Sequence, residues 1–225
     1  MDKINQLQNY LFMIAAQNGK IIKNLFFILY IILVLILLFS GYKIISAHAL
    51  DSSLYSLGKK FGELTLLLLG LVVTPGILGR FGIEIKITRI VTVYRRQFGI
   101  ITFLTALLHF SLVRMFNWLG GILPFSPFPI TFEAYGTLAL SLMFLLFVTS
   151  NDFSKKTLGK LWKVMHRFIY LILWLLVLHV GLQKIGVWTL FIFGAAIVET
   201  FSWIIYFIRK KGLATSSEAQ STNSK

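Results

Sequence analysis

Cysteine is absent from the 225 residues, so the chain can build no disulfide, cysteine-ligated iron–sulfur cluster, zinc ribbon or thiol nucleophile. Charge is scarce as well: Asp, Glu, Lys and Arg make up 13% of the sequence, where a soluble domain carries about 25%. No glycine-rich phosphate loop follows a strand, and no soluble segment is long enough for a flavin or nicotinamide domain. If the chain handles electrons, they must arrive from another molecule. No internal repeat is evident. What the sequence does have is apolar residues, 57% of the total with 15% aromatic, and a mean hydropathy of +0.81. Such a chain belongs among membrane lipids. Its net charge of +14 does not indicate a nucleic-acid binder, because the basic residues fall between apolar runs and not on a solvated face interleaved with aromatics.

Six predominantly apolar segments are long enough to cross a bilayer as helices: 24–42, 62–79, 97–116, 131–150, 164–183 and 187–208. They predict an all-α, polytopic membrane protein, a six-helix transmembrane bundle, with a cytoplasmic N-terminal segment at 1–23, the transmembrane domain at 24–208 and a disordered cytoplasmic tail at 209–225. With the N-terminus inside, only Lys43, Lys59, Lys60, Arg114 and Lys184 of the 22 Lys and Arg fall outside. That asymmetry places both termini in the cytoplasm and the chain in the cell membrane. The first span, ending near Ala47-His48-Ala49, superficially resembles a secretory signal, but its apolar run is at the long limit for one and reads as a retained helix. Between Asn117 and Ile130, Gly120, Gly121, Pro124, Pro127 and Pro129 forbid a continuous helix. Trp118, Phe125 and Phe128 suit that loop to the outer interface. Gly70, Pro75 and Gly76 interrupt the second span.

Three of the four histidines lie in or at the edge of spans, where a polar ring is costly and marks a functional candidate. His109 lies thirteen residues beyond Arg96, and His179 thirteen beyond His166, each about 20 Å along a helix. The third and fifth spans run in the same direction, so His109 and His179 are level, in the outer half. Two imidazoles at one depth on facing helices suit the axial positions of a b-type haem. A hydrogen bond to a neighbouring helix is the commonplace alternative for a single buried histidine, and the matched depth outweighs it. His166 is different. On an ideal helix it points about 140° away from His179. Fourteen residues before His109 stands Arg95, not a histidine. His166 therefore reads either as ligand to a second haem or as an interfacial residue that meets a propionate or a quinone. Arg95, Arg96 and Lys163 would attract haem propionates or an anionic flavin at the cytoplasmic face, beside their plain topological role. Glu133 sits near an outer helix end, whereas Glu199 is well inside the sixth span and needs a partner.

Several of these residues also occur in a recognisable order. Thr74-Pro75 near the end of the second span, Arg95-Arg96 and Gly99 ahead of His109, Thr149-Ser150 closing the fourth span, then Leu158-Gly159, Trp162, His166-Arg167 and His179, together resemble the ferric reductase-like transmembrane domain family over about residues 60–183. Within that family the likeness is to the bacterial haem-binding subunits of periplasmic methionine sulfoxide reductase systems. The resemblance implies a cytochrome b-like six-helix domain with haem b on His109, His179 and, for a second haem, His166. It also implies electrons from a separate flavin reductase or a quinol, FMN or quinone bound at the cytoplasmic face, and an external acceptor such as a periplasmic molybdenum reductase. Two-haem relatives carry a histidine where this chain has Arg95, so the expectation is one haem and an external donor. Ferric reductase-like metal reduction with a separate flavoprotein is the nearest alternative. A haem-free transporter or membrane assembly protein is the alternative of another class.

Overall fold

In the computed structural model, which describes residues 6, 10, 12–14, 17–48, 51–83, 85–123 and 131–222, all six spans are helical and no strand occurs among the described residues. The helices are α1 (Gly19–Ala47), α2 (Ser52–Phe81), α3 (Lys86–Val93), α4 (Arg95–Phe110), α5 (Phe116–Leu119), α6 (Thr131–Val148), α7 (Asp152–Leu158), α8 (Lys160–Met165), α9 (Phe168–Gln183) and α10 (Val187–Thr222). α1, α2, α6 and α10 are spans by themselves. The third span is α4 and α5 joined through a π-helical turn, Ser111–Met115, and the fifth is α8 followed by α9.

The second span begins ten residues earlier than hydropathy places it. Asp51 caps it, its carboxylate accepting the backbone N–H groups of Ser53 (2.9 Å) and Leu54 (3.1 Å). The polar turns that follow are tied by the Lys60–Glu63 pair at 2.9 Å and by Lys59 lying 4.7 Å above the Tyr55 ring. Nor is the span interrupted, because α2 runs through Pro75 unbroken. Thr74, just before the proline, donates its hydroxyl to the Gly70 carbonyl at 2.7 Å. α10 continues past its apolar part to Thr222, through the polar segment for which the sequence predicts no structure. The stretch 124–130 of the proline-rich loop lies outside the described residues.

The packing order positions the site. α4 packs along α2 and α6, α9 along α6 and α10, and α10 closes back on α2, so five spans form a ring. α1 stands outside it, against α4 and α5. There Gly41 admits the Phe116 ring, which an added Cβ would meet at 2.8 Å. Leu69, Leu108, Leu112, Ile172, Leu173 and Ile192 are buried to 1% exposure or less and fill the ring interior. α4 and α9 share neighbours without packing along one another, and the gap between them is where the histidines lie.

The cap makes α2 sensitive to acid. Asp51 accepts a 2.7 Å bond from Lys43, and that contact, with the Leu54 N–H, holds its carboxyl below the usual carboxylate range. A depressed carboxyl stabilises the fold above its unfolded value, and the contribution disappears as pH falls through the lowered folded value. Asp51→Asn keeps a cap oxygen and removes the titration. The variant is therefore expected to lose less stability than the parent on acidification from about pH 6 to pH 3, so that the parent's advantage in thermal unfolding is largest near neutrality and shrinks as the pH falls.

Candidate functional site

His109, one residue before the end of α4, and His179, in the last turns of α9, face each other with ring centres 6.3 Å apart and ring planes at 76°. The depth expected from residue counting is thus met: the two imidazoles are level. Each is fixed from behind by a backbone carbonyl, His109 Nδ1 at 2.9 Å from the Gly58 oxygen and His179 Nδ1 at 2.7 Å from the Phe132 oxygen. A carbonyl only accepts, so each Nδ1 carries the proton and donates. Each Nε2 then keeps its lone pair and is free to ligate, the arrangement by which a second shell orients metal-bound histidine.

The spacing tests whether such a pair suits a metal between them. Two metal–nitrogen bonds of about 2 Å, with about 1 Å more from each nitrogen to its ring centre, separate the ring centres by about 6 Å. The observed 6.3 Å agrees with that separation. Among the described residues no group of three or more His, Asp or Glu side chains comes together as a cage for a bare ion. The donor set is two neutral nitrogens, which suits an iron whose four remaining positions are supplied by a macrocycle.

Local backbone explains how His109 reaches this place. Directly after it the helix widens into the π turn, a form frequent at functional sites. Asn117 satisfies carbonyls of that turn, its Nδ2 donating to Leu112 (2.9 Å) and Val113 (3.3 Å). Within that turn Arg114 lies 3.4 Å from Glu133, which gives the carboxylate in the first turn of α6 a cationic partner.

His166 is not part of this pair. The fifth span breaks at His166–Arg167, so the 140° angle of an uninterrupted helix does not apply. Its Nδ1 donates to the Trp162 carbonyl of its own turn at 3.0 Å, and its ring stacks on Trp162 at 3.9 Å. Trp162 in turn donates its indole N–H to the Thr149 carbonyl at 2.9 Å. His166 Nε2 is buried without a protein partner. Arg95 lies within electrostatic range of both His166 and Glu199. Arg96 instead reaches across to Asp152 at the start of α7, an exposed pair. Arg96 holds the Asp152 carboxyl below the usual carboxylate range. The partner that Glu199 requires is Arg80, whose guanidinium also donates to Ser202 at 2.8 Å and lies 4.7 Å above the Trp203 ring. The sequence reading passed over Arg80 and the two carbonyls. Arg80 counts there only toward topology, and backbone acceptors carry no side-chain signal.

A ring of membrane helices holding two neighbouring imidazoles between the third and fifth spans defines a polytopic helical membrane protein with an interior histidine pair. The chain belongs to the family of the ferric reductase like transmembrane component, whose model matches residues 60–177. That match takes in Arg95, Arg96, His109 and His166 and stops two residues short of His179. It points to electron transfer within a membrane. No solved structure matches the chain.

Proposed function

We propose that this protein is a membrane b-type cytochrome that carries electrons from a donor on the basic, cytoplasmic face to an acceptor on the opposite side of the cell membrane. The observation that carries the reading is the His109–His179 pair, two Nδ1-protonated imidazoles facing each other at the separation an axial pair needs. When bound, the haem iron would supply a one-electron couple. The protein's own part is binding and exclusion: His109 and His179 would hold the iron, the carbonyls of Gly58 and Phe132 would fix ring tilt and tautomer, and the apolar ring would keep water away, factors that together set a haem potential.

The finer assignment is a haem-binding subunit of a protein-methionine-sulfoxide reductase system, supplied by a flavin reductase or quinol and serving an external molybdenum reductase. It is supported by Arg95 standing where two-haem relatives have a ligand. The unpartnered Nε2 of His166 favours a second occupant on the basic side, a further haem, a quinone or FMN, with Arg95 near its acidic groups. Protein purified from haem-replete cells is expected to show a Soret band and a split α band on reduction, with one haem per chain. Two haems per chain would assign His166 as a ligand. Colourless protein would overturn the proposal.

A further inference from the structure

The two ligand histidines rest on the same backbone device, used twice. His109 on α4 bonds the carbonyl of Gly58 on α2, and four residues on stands Gly62, where an added Cβ would lie 2.8 Å from His109 Nδ1. His179 on α9 bonds the carbonyl of Phe132 on α6, and four residues on stands Gly136, where an added Cβ would lie 2.6 Å from His179 Nδ1. In a helix the side chain at i+4 leans back toward the N-terminus, over the carbonyl of residue i. A glycine at i+4 leaves that carbonyl open to a second donor from a neighbouring helix. The second and third spans and the fourth and fifth spans therefore form a structural repeat that the sequence does not display. Close approach of the helices alone would not require it, because Gly70 and Gly41 admit phenylalanine rings at similar distances with no carbonyl bond.

We infer that Gly62 and Gly136 are positioning residues, each exposing one helix carbonyl so that His109 and His179 are held as Nδ1-H donors with their Nε2 atoms opposed and their planes 76° apart. The consequence for bound haem rests on the cytochrome reading above. The consequence for the histidine tautomers does not.

The test uses the full chain and four single variants. In Gly62→Ala and Gly136→Ala the new methyl displaces an imidazole from its carbonyl. Loss of such an outer-shell partner lowers haem affinity by about 10- to 100-fold. The low-spin ferric EPR signal, strongly anisotropic for near-perpendicular axial planes, is expected to be replaced. Gly99→Ala, where a Cβ meets nothing within 4 Å, and Gly70→Ala, which crowds Phe191 at 2.9 Å, are expected to keep the parental signal. In haem-free protein, nitrogen NMR of labelled histidine is expected to show loss of the Nδ1-H tautomer at His109 alone in Gly62→Ala and at His179 alone in Gly136→Ala. Unchanged tautomers in both variants overturn the inference. Unchanged EPR in haem-loaded variants does so as well. Should the parent bind no haem, the cytochrome reading falls and the NMR result alone decides this one. If Gly62→Ala does not fold, Gly62→Ala with His109→Ala decides the matter. Recovery of folding shows that the methyl acts against the ring, and continued failure shows a packing role only and overturns the inference.

Discussion

Protein carrying His109→Ala or His179→Ala is expected to lose the reducible low-spin spectrum altogether, whereas His166→Ala is expected to keep it. If both imidazoles hold the iron as proposed, removing one would leave at most five ligands on it, so any haem retained would turn high-spin and the split α band would disappear. The vacated Nε2 position is not refilled from within the protein. Among the described residues no third His, Asp or Glu joins the two. The double variant is expected to purify without haem. His166→Ala separates the two counts. With one haem, the ratio to protein and the α band stay as in the parent. With two, the ratio halves. Survival of the parental low-spin spectrum in His109→Ala or His179→Ala would show that these histidines satisfy helix carbonyls and nothing more.

Arg80→Met is expected to destabilise the folded protein by about 3–5 kcal/mol, because it leaves the Glu199 carboxylate buried without its cation. Glu199 is 2% exposed overall, and its second oxygen has no partner, so solvent cannot compensate for the loss. Ser202 and Tyr170 would also lose a donor, the former held at 2.8 Å by Arg80 Nε. The same reasoning predicts recovery. Arg80→Met with Glu199→Leu replaces both charges by apolar groups of similar bulk, and buried ion pairs replaced in this way are often no less stable than the original. Denaturant or thermal unfolding in the same detergent or lipid measures both. If the single variant costs less than about 1 kcal/mol, the behaviour of an exposed pair, then the pair is solvated in the membrane and the ring is closed by packing alone.

How much of this was legible in the sequence depends on whether a signal resides in side chains. The spans follow from hydropathy, and the level placement of His109 and His179 follows from counting thirteen residues from flanking landmarks. The start of the second span was not legible, because Asp51 and the Lys60–Glu63 pair extend toward the N-terminus a helix that composition begins at residue 62. That error matters to the site, since Gly58, whose carbonyl holds His109, falls in the excluded turns. One clue was present: Gly58 and Gly62 have the small-x-x-x-small spacing of helices that approach closely. The orientation of His166 was not legible, because residue counting assumes a continuous helix and the fifth span breaks at that residue. The partner of Glu199 was not legible either. It depends on the last span closing against the second, and nothing along the chain relates residues separated by 119 positions.

That closure has a bearing on how the molecule is made. Spans leave the insertion machinery in order, and the four that carry the histidines and their carbonyls, from the second to the fifth, are all in the membrane before the last one. Arg80 meanwhile waits for Glu199, which arrives only with the sixth. The His109–His179 pair can thus come together while one side of the ring is still open to lipid, and the haem proposed above would have a lateral entrance at that stage. The last helix is the door, and its ion pair is the latch.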